Sequence, residues 1–105
     1  MDKNSPINQK IGAAWNTLRA GKHTAAVSEF EMALSEDRDN LDALYGLGLA
    51  LKLNGDAGTA RSKWERALEL ATARLEKLGN EHSAERERIF MTTAMLKQRL
   101  QEISG

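Results

Sequence analysis

The stretch Leu41–Leu68, LDALYGLGLALKLNGDAGTARSKWERAL, decides the fold. Leu44, Leu47, Gly48 and Leu51 fall at i, i+3, i+4 and i+7, the apolar face of one helix. Asn54-Gly55-Asp56 ends that helix and starts the next. Gly55 suits the left-handed terminal position and Asp56 suits an N-cap. Ala60, Trp64, Ala67 and Leu68 mark the buried face of the second helix. Small residues (Gly48, Ala60, Ala67) stand where two helices must approach closely, and Trp64, Leu44 and Leu51 fill the spaces between. The unit is a helix–turn–helix hairpin that cannot bury its apolar face alone.

The hairpin resembles a tetratricopeptide repeat, and looking backwards by that family's period of 34 residues finds a second copy. Gly21, Ala26, Phe30, Ala33 and Leu34 align without a gap on Gly55, Ala60, Trp64, Ala67 and Leu68. The earlier first helix matches less well. Lys10, Ala13, Ala14 and Thr17 stand where Leu44, Leu47, Gly48 and Leu51 stand later. Lys10 can lay its stem on the core and keep its ammonium in water.

This pattern resembles the tetratricopeptide repeat. It reads Leu44-x-x-Leu47-Gly48-x-x-Leu51, then Gly55, then Ala60-x-x-x-Trp64-x-x-Ala67. It departs in having Leu44 for an aromatic, Leu51 for the usual Tyr and Thr72 for the frequent Pro. The resemblance implies a right-handed α-solenoid of two repeats, residues 7–40 and 41–74, after an N-terminal tail over 1–6.

The composition agrees with an all-α chain of 105 residues, one domain or one small array. Hydrophobic residues make up 41% and are mainly Ala and Leu, a bias toward helix over strand. The single Pro lies at position 6, so no internal breaker intervenes. Fifteen basic and fifteen acidic residues balance without a basic patch, which disfavours a nucleic-acid partner. With no cysteine, disulfides and thiolate metal sites are excluded. The N-terminus lacks the apolar run of a signal peptide, and no window is long enough to span a bilayer. A cytoplasmic protein without membrane contact is the expectation.

Taken in order, Ser5-Pro6 reads as N-cap and first helical position. Helix one runs to about Ala20, and helix two covers roughly Thr24 to Ser35. Asn40 can cap helix three, which ends near Leu53. Helix four runs past the repeat period to about residue 78, since Trp64, Leu68, Ala71, Leu75 and Leu78 keep a spacing of 4, 3, 4, 3 until Gly79. Ser83 can cap a fifth helix over 83–103, where Ile89, Thr93, Leu96, Leu100 and Ile103 repeat that spacing. Two such stripes joined by a short loop make an antiparallel hairpin that caps the array. Its outer face carries Arg86, Arg88, Lys97, Arg99 and Glu102. An alternative register makes helix five a degenerate third repeat, with Phe90, Thr93 and Ala94 in the slots of Leu44, Leu47 and Gly48. Phe90, Met91 and Met95 either widen the buried face of helix five or form an exposed surface for a partner; packing on helix four is favoured.

The family resemblance implies a concave groove lined by the first helix of each repeat. By position, helix one offers Asn8, Ile11, Gly12, Trp15, Leu18 and Arg19. Helix three offers Asp42, Tyr45, Gly46, Leu49, Lys52 and Leu53. An aromatic and aliphatic groove with a basic rim (Arg19, Lys52) suits an apolar peptide or amphipathic helix. The same groove can instead be filled by the chain's own C-terminus or buried in a homodimer. The family's clamp for C-terminal carboxylates is not expected, because Ile11, Trp15 and Gly46 occupy its slots. The function implied is an adaptor or scaffold for another protein, without catalysis or cofactor. The alternative is self-assembly through the groove or the C-terminal helix.

Chemical sites are weakly signalled. The resemblance places His23 in a slot usually packed between the two helices of a repeat, which implies a partly buried structural residue rather than a base. His82 with Glu81 and Glu85 is a poor metal set of one imidazole and two flexible carboxylates. No nucleophile–base pairing or phosphate-binding glycine loop is present in the sequence.

Overall fold

The computed structural model describes residues 5–80 and 82–104. The described residues form five helices and no strand: α1 Pro6–Arg19, α2 His23–Glu36, α3 Leu41–Leu53, α4 Ala57–Leu78 and α5 Ala84–Ser104. Several boundaries have a local cause. The Ser5 hydroxyl accepts from the Asn8 backbone N–H at 3.3 Å, and Pro6 follows it as the first helical residue. Asn40 Oδ1 accepts from the Ala43 N–H at 2.9 Å, Asp56 Oδ1 from Thr59 at 3.2 Å, and Ser83 Oγ from Arg86 at 3.0 Å. Gly21 and Gly55 close the two intrahairpin turns with φ of 84° and 90°, and Gly79 stops α4 at φ 64°. Only glycine takes these values without strain. The expected tail over 1–6 thus ends in a cap and a helical Pro, and residues 1–4 lie outside the described residues.

Packing proceeds from neighbour to neighbour: α1 on α2, α2 on α3, α3 on α4, and α4 on α5, with α1 also touching α3. The thinnest dimension is 20 Å, about two helix diameters. The positions 34 apart are buried alike. Ala26 and Ala60, Phe30 and Trp64, and Ala33 and Ala67 are all fully buried. Trp64 satisfies its indole N–H by donating to the Tyr45 carbonyl oxygen at 3.0 Å. The required close approach is visible at Gly48, where a Cβ would lie under 3.0 Å from the Trp64 indole.

The match between the two hairpins fails in α1. Lys10 and Ala13 are exposed and Thr17 is half-buried, while Ile11, Ala14 and Leu18 form the inward face. The physical reason is position. Helix α3 lies between α2 and α4 and buries seven of its thirteen residues, so nearly every face is core. Helix α1 has one full neighbour and buries a single stripe, which need not coincide with α3's register. Lys10 pairs with Glu36 on the surface instead of covering the core.

Helix α5 packs on α4 through the anticipated stripe. Ile89, Thr93 and Leu96 are buried, and Leu100 and Ile103 are half-buried. Thr93 satisfies its hydroxyl on the Ile89 carbonyl at 2.9 Å. The third-repeat register is therefore corrected: Phe90 is 58% exposed and Ala94 is exposed. Met91 and Met95 also stay in water, at 64% and 42% exposure, and do not widen the buried face.

Candidate functional site

Side chains of α1, α3 and α5 are joined in one chain of contacts. The Trp15 indole N–H donates to Asp42 Oδ1 at 3.1 Å, and its ring lies 6.2 Å from that of Tyr45. Trp15 also meets the buried Phe30 ring edge-on at 5.3 Å, and Tyr45 leans on Trp64 at 6.2 Å. The Tyr45 hydroxyl accepts from Arg99 Nε at 3.1 Å. That hydrogen bond, with the electrostatic attraction of Tyr45, raises the guanidinium pKa above its ordinary value; burial opposes this and Glu102 adds a smaller favourable contribution. Arg99 was expected on the outer face of the cap. It turns instead toward α3 and ties the last helix to the second hairpin.

Beside this chain lies an open cleft of about 670 Å³. One side is the N-terminal end of α3 and the corner that leads into it, with Asn8 of α1 at the edge. The other side is the α4–α5 hairpin. Leu41, Tyr45, Ile89 and Met95 supply its apolar lining. The extension of α4 beyond the repeat period builds this second wall. Arg74 lies in the extension, and Arg88, Thr92 and Met95 stand on the facing side of α5.

The residues expected to line a groove therefore divide. Asn8, Asp42 and Tyr45 border the cleft, and Trp15 supports it through Asp42. Ile11 is a correction: at 3% exposure it is core, packed with Ala14 and Leu18. Leu18 (6% exposed) is core for the same reason. Gly46 is buried as well, because a Cβ there would lie under 3.0 Å from the Phe30 ring, whereas Gly12 has nothing within 4 Å. Leu49 is half-buried against both core clusters, and Ile103 of α5 packs against the same two. The last helix reaches the expected groove residues through Arg99 on the Tyr45 hydroxyl. Arg19, Lys52 and Leu53 sit at the opposite ends of α1 and α3, away from the cleft. Arg19 hydrogen-bonds Asn16, and Leu53 is 49% exposed.

The sequence reading missed the α5 contribution. Arg88, Thr92, Met95 and Arg99 recur at i, i+4, i+7 and i+11, a helical face beside the buried stripe. That spacing was available, but the face is polar enough to read as solvated surface.

His23 is half-buried at the start of α2, and His82 is exposed. Glu81 lies outside the described residues, and among the described residues no three His, Asp or Glu side chains gather as a metal site. No described helix is long and apolar enough to cross a membrane. Comparison with protein-family models, curated proteins and solved structures finds no match to this chain.

Proposed function

We propose that this chain is a protein–protein interaction adaptor or scaffold, without catalysis of its own, that holds an apolar peptide or amphipathic helix of another protein. The observation that carries the reading is the open cleft between the α3 corner and the α4–α5 hairpin, with Tyr45 and the 42% exposed Met95 in its lining. A half-buried tyrosine and an exposed methionine on a helical frame are suited to hold an apolar face. The repeated burial pattern 34 residues apart supports the tetratricopeptide-like, right-handed solenoid architecture that goes with such a role. A cytoplasmic setting belongs to the same reading.

The test is affinity capture with wild type and Met95→Lys, a substitution at a side chain already in water. A protein held by wild type and released by a variant with an unchanged melting curve supports the docking site. Equal capture by both refutes it. Self-assembly is the second reading, favoured by Phe90 and Met91, which α5 leaves 58% and 64% exposed. Mass by light scattering across a concentration series separates the two.

A further inference from the structure

The charges around the cleft specify its occupant further. We infer that it selects an amphipathic helix whose apolar stripe is flanked by basic residues on one side and acidic residues on the other. This rests on the docking reading above and supplies the chemistry that reading leaves open.

The two walls carry opposite charge. The α2–α3 corner and the start of α3 contribute Asp37, Asp39 and Asp42. Asp39 is 3.4 Å from Arg66, a pair with both partners more than half exposed. Asp37 accepts from the Asn40 amide at 3.0 Å, and Asp42 accepts from the Trp15 indole. Both donors are neutral, and neither carboxylate has a cationic partner within 4.0 Å among the described residues. The facing wall contributes Arg74 from α4 and Arg88 from α5, with Glu85 as the one acid there. Neither guanidinium has a carboxylate partner within 4.0 Å among the described residues. Asp39 is thus tied to α4 through Arg66, while Asp37 and Asp42 on one wall and Arg74 and Arg88 on the other face the cleft outside any ion pair among the described residues.

An occupant that matches both walls gains twice. Its apolar stripe covers Leu41, Tyr45 and Met95, and that contact removes water from around the charge pairs at the rim, which strengthens them. A helix of uniform charge places like charges against one wall. An extended strand fits poorly, because its successive side chains alternate between faces and do not set two different flanks beside one apolar row. A helix presents a stripe and both flanks together.

Four synthetic helices test this, each long enough to be helical alone (on the order of 20 residues). They share one Leu/Met stripe and differ only in the flanks: Lys on one side and Glu on the other, all Lys, all Glu, or all Gln. Fluorescence anisotropy with the full-length chain is expected to give the mixed helix about tenfold tighter binding than the other three, an advantage that shrinks with added salt. Arg88→Glu, an exposed position, is expected to move the preference to the all-Lys helix, and Asp37→Lys/Asp39→Lys to the all-Glu helix. Equal binding of the mixed and all-Gln helices leaves docking standing and overturns the charge selection. Preference of wild type for either uniform helix overturns it too. Binding of none of the four counts against both the selection and the docking reading.

Discussion

The same substitution at two equivalent positions, Gly12→Ala and Gly46→Ala, is expected to change stability in opposite directions. The two glycines are 34 residues apart and both lie inside helices. In α1, Gly12 is exposed and has nothing within 4 Å of a built Cβ. Alanine there gains helix propensity alone, a stabilisation of about 0.8–1 kcal/mol. In α3, the new methyl lands on three ring carbons of Phe30. That ring is fully buried, with Trp15 edge-on to it at 5.3 Å, so it has no free direction in which to move. Overpacking of this kind costs about 1–3 kcal/mol. After the propensity gain is subtracted, Gly46→Ala should lose up to about 2 kcal/mol. Urea unfolding followed by circular dichroism measures both. Shortening the ring with Phe30→Leu should recover part of the Gly46→Ala loss, a coupling that a double-mutant cycle reports. If both alanines stabilise equally, the packing of α2 on α3 described above is wrong.

Three further outcomes follow from the same contacts. Trp64→Ala should cost about 3–5 kcal/mol, because the ring is fully buried and hydrogen-bonded, while Trp15→Ala at its half-buried site should cost clearly less. Removing the cap with Asn40→Ala should cost about 1 kcal/mol, read from the same unfolding curves, and Asn40→Asp should retain most of it. Tyr45→Phe and Arg99→Ala should each cost about 1 kcal/mol or less, and the double variant should cost less than their sum. This link should also be indifferent to pH across the neutral range. The folded-state pKa of Arg99 is raised, so its contribution is present below the ordinary arginine pKa and is lost only as pH rises through the still higher folded value.

Much of the helical frame was legible because it depends on short-range chemistry. Ser5, Asn40, Asp56 and Ser83 cap the helices they were expected to cap, and Gly79 ends α4 where its heptad stripe stops. These signals lie within four residues of the structure they determine. The extension of α4 and the stripe of α5 were readable for the same reason, since two rows at one spacing need each other. What the sequence did not disclose depends on how many neighbours a helix has. Ile11 and Gly46 read as groove residues from a fixed offset, yet one is buried in the core with Ala14 and Leu18 and the other lies under Phe30. Arg99 is 54 residues from Tyr45, and no local pattern joins them. The cleft required the angle between the α4–α5 hairpin and the α3 corner, which spacing does not encode. Only Asn8, Asp42 and Tyr45 of the expected set border it.

The docking site is tested most directly by photo-crosslinking in the native cell, with a benzophenone amino acid placed at position 95 or position 32. Both positions hold exposed methionines, but Met95 lines the cleft and Met32 lies on α2 outside it. The account predicts a discrete heteromeric crosslink from position 95 that is absent from position 32. Equal crosslinking from both, or from position 32 alone, would contradict it.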